Sequence, residues 1–247
     1  MTGASSANHG SGAIHAGGAG RGGGAGGVAP ADAAATGALA PEDAMRADLY
    51  DLLAALLRAA PDAAMLRALA ALEGDGSELG RAVDALARIA ATTGEGEAAR
   101  EYHDLFVGVG RGELVPYGSY YLTGFLNEKP LGLLRRDMAR LGIERESGVR
   151  EPEDHAGALM EMMAGLVRGR LGAPGAGGRE DAAFFAAHVE PWAGHFFADL
   201  ERARGSRLYA PVGTIGRSFM AVEAEARGMS GATSGGTSGG TSGAMSA

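Results

Sequence analysis

Apolar side chains recur at intervals of three and four along most of residues 41–228, the spacing of helices that bury one face. Met45, Leu49, Leu52, Leu53, Leu56 and Leu57 set the first such stripe, and Pro41 suits its first turn. Pro61 opens a second helix carrying Met65, Leu66, Leu69 and Leu72, stopped by Gly74 and Gly76. Ser77 caps a third, with Leu79, Val83, Leu86 and Ile89 inward. A fourth runs from Glu97 to Phe106 and turns Tyr102, Leu105 and Phe106 to the core. Ser119 is placed to cap a short helix ending near Phe125. Pro130 starts the next, with Leu131, Leu134, Met138 and Leu141 on one side, and Pro152 starts one that continues through Leu159, Met162, Met163, Leu166 and Val167. Residues 172–180 read as a loop. Phe184, Phe185, His188, Val189, Trp192, Phe196 and Leu200 form a late aromatic face that Pro191 divides. A last helix from Val212 to Arg227 buries Ile215, Phe219 and Val222. Ten Val and four Ile are thin material for a sheet. The pattern predicts an all-α fold, a single globular helical domain of about eight to ten helices.

Composition marks the ends of that domain. Glycine makes up 43 of 247 residues, and much of the excess lies outside the periodic region. Residues 1–40 hold one Arg and one Asp as their only charged side chains, and residues 229–247 hold none. Segments so poor in large apolar groups cannot offset the entropy of ordering them, so disordered tails are expected at 1–40 and 229–247 around a domain at 41–228. The net charge of −8 therefore belongs to the helical region. An acidic domain without a Lys/Arg cluster is poorly matched to nucleic acid and better matched to a basic partner such as an Arg-bearing peptide. Cysteine is absent, which removes disulfides, thiolate metal sites and Cys nucleophiles. No apolar run reaches the length of a membrane span, and no apolar signal region follows a basic start, so a cytoplasmic protein without membrane insertion is expected.

Candidate chemistry gathers in two stretches. LFVGVGRGELVPYGSYY, residues 105–121, carries Gly108, Gly110 and Gly112 on alternate positions. A dinucleotide fingerprint needs a preceding strand, and a phosphate-cradling P-loop ends in Gly-Lys-Ser/Thr. Here a helix precedes the loop, Lys is missing, and Glu113 would repel a phosphate. The loop then reads as a mobile connector. Behind it Tyr117, Tyr120 and Tyr121 cluster after Pro116, either as the core of a small helix or as amphipathic binding groups. The second stretch, EPEDH at 151–155, packs three carboxylates and an imidazole into five residues. Acids at a helix start are ordinary capping chemistry, but Glu151, Glu153 and Asp154 also suit a guanidinium. Asp154 and His155 are adjacent and do not form an acid–base pair across a helix face. His103, His155, His188 and His195 show no metal-ligand spacing, so neither metal, cofactor nor catalytic residue is expected. Arg135 and Arg136 read as a solvated helix face.

YHDLF at 102–106, PYGSYY at 116–121 and EPEDH at 151–155 together resemble the TorD/DmsD family of molybdoenzyme maturation chaperones, and HVEPW at 188–192 and the Tyr209 region are similar to that family's C-terminal half. The resemblance covers most of residues 41–228. It implies an all-helical, cytoplasmic chaperone of anaerobic respiration with no turnover of its own. Such a protein binds the twin-arginine signal peptide and the apoprotein of a molybdopterin oxidoreductase, of the reductase or formate dehydrogenase type. It assists cofactor insertion and prevents premature export. Carried onto matching positions, the peptide site comprises Leu105, Phe106, Pro116, Tyr117, Ser119 and Tyr120 from one side and Glu151, Pro152, Asp154 and His155 from the other. The glycines of residues 108–112 would form a flexible lip beside it. The family includes both monomers and exchanged-helix dimers, so the oligomeric state stays open, as does the client. The competing class is a nucleotide- or metal-dependent hydrolase using the 108–113 loop or the histidines. The glycine-rich tails depart from the family pattern.

Overall fold

The computed structural model describes residues 14–16, 39–109, 111–145, 148, 150–172 and 179–233. Its elements are β1 (Ile14–Ala16), α1 (Pro41–Arg58), α2 (Ala63–Ala70), α3 (Glu78–Ala90), α4 (Glu95–Tyr102), a π-helical turn (His103–Val107), α5 (Gly118–Thr123), α6 (Lys129–Arg140), β2 (Ile143–Arg145), α7 (Ala156–Val167), α8 (Arg179–His188), α9 (Ala193–Arg202) and α10 (Tyr209–Thr233). The fold is all-α. Among the described residues its only strands are the antiparallel pair β1–β2, in which Ile14 is paired with Arg145 and Ala16 with Ile143. Most of the tails expected to be disordered, like Gly110 and residues 173–178 of the predicted loop, lies outside the described residues. Two pieces of the tails are structured: Ile14–Ala16 adds to the edge of β2, and α10 continues past Gly228 to Thr233.

Helix α7 is the axis of the packing. Ten of its twelve residues are buried, from Ala156 to Leu166, as befits a helix that is apolar on all sides. It lies against α1 and α8, while α10 packs on α9 and α3. Gly213 lets α9 and α10 touch: a Cβ there would sit 2.4 Å from the Glu201 nitrogen. The largest wholly buried side chains, Trp192, Tyr50, Tyr209, Phe184, Phe185, Phe196 and Phe197, come from α1 and from residues 184–209. The late aromatic stretch is therefore core, split by Pro191 into α8 and α9 as its sequence requires.

Local rules account for several boundaries. Asp62 Oδ1 accepts from the Met65 nitrogen at 2.8 Å, and Ser77 Oγ from the Gly80 nitrogen at 3.0 Å. Two inward assignments are corrected. Met45 is 63% exposed, because α1 turns Ala47, Tyr50 and Leu53 to the core instead. Val222 is 56% exposed, while its neighbour Glu223 is buried. That carboxylate can face inward because Arg46 Nε at 2.7 Å, Tyr50 Oη at 2.7 Å and Arg227 Nη1 at 2.9 Å all donate to it. Asp181 of α8 joins the same network through Arg46 at 3.0 Å, so one buried ionic cluster ties α1, α8 and α10.

Candidate functional site

The fourth predicted helix ends earlier than its apolar pattern implies. α4 stops at Tyr102, and His103–Val107 widen into a π-helical turn, a local form often found beside functional sites. Gly108 closes the turn at φ +60°, donating its N–H to the His103 carbonyl at 2.7 Å. The chain then doubles back. The Glu113 nitrogen donates to the Asp104 carbonyl at 3.1 Å and the Leu114 nitrogen to the Leu105 carbonyl at 2.8 Å. Gly112 is required for this approach, since a Cβ there would lie 2.5 Å from the Leu105 oxygen. These amides are therefore spent within the turn and do not converge on a phosphate, and Glu113 Oε1 accepts from the Arg204 nitrogen at 2.9 Å. Leu105 is wholly buried, and Phe106 stands edge-on to Tyr102 and Tyr209 at centroid distances of 5.1 and 5.4 Å.

The returning segment leads into the junction of the two sequence motifs. The Ala156 nitrogen donates to the Pro116 carbonyl at 2.8 Å, and the Gly118 nitrogen to the Asp154 carbonyl at 2.9 Å, around an isolated antiparallel bridge of Tyr117 with His155. Asp154 Oδ2 accepts from the Ser119 nitrogen at 2.7 Å. Ser119 is thus inside α5 and not its cap; a carboxylate 35 positions downstream satisfies the start of that helix. The second correction concerns EPEDH. Pro152 does not open α7. Residues 152–155 form a turn closed by the His155 nitrogen on the Pro152 carbonyl at 3.2 Å, and α7 begins at Ala156. His155 is the cap, its Nδ1 accepting from the Gly157 nitrogen at 3.1 Å.

The three carboxylates have different fates. Glu153 is taken by Arg135, whose Nη2 is 2.8 Å from Oε2, and is approached by Arg145 at 3.6 Å. Burial pushes the Glu153 carboxyl up, but its hydrogen bonds and the two guanidinium charges outweigh burial and hold it below the usual range. Arg135, read from sequence as a solvated face, is an anchor of this loop. Glu151 is half-buried and accepts from Tyr117 Oη at 3.0 Å, with His155 Nε2 at 3.8 Å. Burial holds His155 below its ordinary value of 6.5 despite the nearby Glu151, so the ring is neutral, as acceptance at Nδ1 requires. Burial, reinforced by Glu151, raises the Tyr117 hydroxyl, which keeps its proton and donates it.

Asp154 and Ser119 form part of the lining of a cavity of about 110 Å³ between α5, α6, α7 and α8. Trp192 closes one side of it, and Leu122 and Leu133, 43% and 38% exposed, stand at its apolar edge. Phe125 and Leu126 continue the exposed apolar surface along the α5–α6 connection. Pro116, Tyr117, Ser119, Glu151, Pro152, Asp154 and His155 are therefore brought together. Tyr120 is half-buried beside Arg111, whose guanidinium carbon is 5.9 Å from its ring centroid. Leu105 and Phe106 are not in the cavity lining; Leu105 is tied to the returning segment through Leu114, and Phe106 packs on Tyr102, which lies close enough to Tyr117 and Glu151 to interact with both. Sequence reasoning did not anticipate Leu122, Leu133 and Trp192. The spacing of His188 and Trp192 was the available signal, since Trp192 Nε1 donates to the His188 carbonyl at 2.8 Å.

The hydrolase alternative finds no support. Among the described residues no cluster of three or more His, Asp or Glu could hold a metal ion. His188 pairs with Asp137 at 2.8 Å, and Ser119 Oγ has no hydrogen-bonded imidazole to activate it. No helix among the described residues is long and apolar enough to cross a membrane.

Comparison with known proteins agrees with the motifs. The family described as nitrate reductase delta subunit matches residues 72–198, just over half of the chain and including both motifs, and the chain belongs to that family. The chaperone protein TorD of Vibrio cholerae is 35% identical over 72 residues, covering 29% of this chain and 33% of that protein. TorD of Vibrio parahaemolyticus is 28% identical over 73 residues, covering 29% and 34%. The chain thus spans about a third of the length of these curated relatives in the aligned stretch. A crystal structure of a redox enzyme maturation protein from Archaeoglobus fulgidus is 20% identical, with a TM-score of 0.48 over 72% of this chain and 94% of that one.

Proposed function

We propose that this chain is a maturation chaperone. It binds the twin-arginine signal peptide and the apo form of a molybdopterin-containing oxidoreductase in the cytoplasm, assists cofactor insertion, delays export, and turns over no substrate itself. The observation that carries this reading is the junction of PYGSYY with EPEDH, where buried carboxylate chemistry opens beside an exposed apolar strip formed by Leu122, Phe125, Leu126 and Leu133. A signal peptide has the same two parts, guanidinium groups followed by an apolar segment, and it docks by amphipathic recognition. In this reading Tyr117, Tyr120, Glu151 and Pro152 meet the peptide from the accessible side. Ser119, Asp154 and His155 act from beneath, while Leu105, Phe106 and Pro116 hold the loop that carries the site.

The test is calorimetric titration of the full chain with a synthetic twin-arginine signal peptide from a molybdoenzyme of the same genome, with a paired-arginine-to-alanine peptide as control. The proposal expects saturable binding that the control loses. Equal heats from both peptides, or none from any candidate, would overturn it.

A further inference from the structure

The segment that precedes the helical domain is mostly glycine and alanine, yet it contributes a strand. Ile14–Ala16 pair antiparallel with Ile143–Arg145, Ile14 opposite Arg145, His15 opposite Glu144 and Ala16 opposite Ile143, and the strand also lies against α7. The sequence marks this place. Among residues 1–38, Met1, Ile14 and Val28 are the only members of Met, Leu, Ile, Val and Phe, and Gly12, Gly17 and Gly18 bracket the paired residues. A β-branched residue favours a strand and glycine disfavours one, so the pairing is confined to this short island.

The other strand is placed where it matters. Gly142, at φ +66°, turns the chain out of α6 into β2, whose Ile143 is buried while Glu144 and Arg145 are exposed. Arg145 then reaches the EPEDH turn, donating from Nη1 to the Glu151 carbonyl at 3.2 Å and approaching Glu153 Oε1 at 3.6 Å. The backbone of β1 thus holds the backbone of a residue that in turn holds the turn. Among the described residues no third strand joins the pair. Two strands of three residues are marginally stable on their own, and a sheet edge once uncovered accepts another extended chain.

We infer that the edge of β2 is a docking edge for extended backbone, and that Ile14–Ala16 is its occupant in cis, a strap that steadies the EPEDH turn and must leave before an extended segment of another chain can add there. Recognition is by main-chain hydrogen bonds, which any extended segment without proline can supply. The 22 residues 17–38 join the strap to the described chain at Leu39 and can span roughly 70 Å when extended, so release of the strap asks nothing of the helices. The tether also keeps the strap at an effective concentration on the order of millimolar, which a competitor must match. This inference does not rest on the signal-peptide reading.

The test is amide hydrogen exchange of the full chain against the full-chain variant Ile14→Pro/His15→Pro/Ala16→Pro, which has no N–H left in the strap and changes nothing in the helical domain. Circular dichroism is expected to show the same helical signal for both. The amides of residues 143–145 are expected to exchange about tenfold faster in the variant, with a smaller acceleration, about twofold, at residues 151–153. Unchanged exchange at 143–145 overturns the strap. The second arm adds a synthetic peptide of residues 10–20 in trans at about 5 mM, above the effective concentration of the tether. It is expected to restore slow exchange at 143–145 in the variant and to leave the parent, whose edge is occupied, little changed. The same peptide with prolines at the three strap positions is expected to do nothing. Restoration by neither peptide or by both, or an equal response from parent and variant, overturns the docking edge. Neither arm uses a signal peptide, so its outcome and that of the chaperone test are read separately.

Discussion

Replacing Asp154 by alanine separates the structural role of this carboxylate from its role toward a ligand. Oδ2 accepts the Ser119 N–H at 2.7 Å in a buried setting, so alanine leaves that donor with nothing to bond. An orphaned buried N–H costs roughly 1–3 kcal/mol, and the bond lost is charge-assisted. Part of this is returned, because the substitution also removes Oδ1, a buried oxygen without a partner. The net expectation is a loss of about 2 kcal/mol, and at roughly 2–4 °C per kcal/mol for a domain of this size the melting temperature falls by about 4–8 °C. Asp154→Asn retains an oxygen for the Ser119 N–H and is expected to lose under about 1 kcal/mol. The assay is urea unfolding followed by far-ultraviolet circular dichroism, comparing midpoints at constant slope, with native helical content unchanged in both variants. Equal stability of the Ala and Asn variants, or an Ala variant within about 0.5 kcal/mol of the parent, would refute the view that Asp154 fastens the two motifs together.

Other consequences follow from the same contacts. Glu223→Gln removes the charge at the centre of the Arg46–Tyr50–Arg227 cluster and is expected to lose about 3 kcal/mol in urea unfolding, with α10 the first element to exchange its amides. Burial pushes the Glu223 carboxyl up, but hydrogen bonds from Arg46 and Tyr50 and the Arg227 charge hold it lower than usual. Its stabilisation is therefore fully present above the ordinary value of 4.5 and lost as pH falls through the lower value in the folded chain; the Gln variant lacks that acid-side decline. His155, neutral in the fold, contributes stability above its ordinary value of 6.5 that is lost as pH falls toward and through its depressed value. His155→Asn keeps a capping side chain and flattens this component in unfolding midpoints measured from about pH 8 to about pH 5. Gly112→Ala forces apart backbone that approaches within 2.5 Å of the new Cβ, so a loss of about 1–3 kcal/mol and faster exchange of the Leu114 amide are expected.

Much of the helical frame was legible because it depends on neighbours in sequence. Pro41 and Pro130 in first turns, Ser77 as a cap and Pro191 as a divider all act within one or two turns of their own positions. The site was legible as two motifs but not as a junction. Ser119 has the chemistry of a cap, and nothing local reveals that Asp154 bonds its N–H from 35 residues away. Pro152 has the chemistry of a helix start, yet the turn closed on its carbonyl delays α7 to Ala156. The carboxylates of EPEDH looked alike in sequence and differ in space because Arg135 and Arg145, on separate elements, consume Glu153. Leu105 and Phe106 share a motif with Tyr102, but a π-helical turn sends one into the core and the other onto Tyr209. The inward position of Glu223 in place of Val222 has the same kind of cause, since its partners Arg46 and Tyr50 lie more than 170 residues away in α1.

The most direct test of the account is amide hydrogen exchange of the full chain with and without a saturating twin-arginine signal peptide. The account predicts slowed exchange in two segments, residues 117–134 and 151–157, with little change in α2, α3 and the far end of α10. Protection confined to those remote helices, with both junction segments unchanged while the peptide is bound, would contradict it.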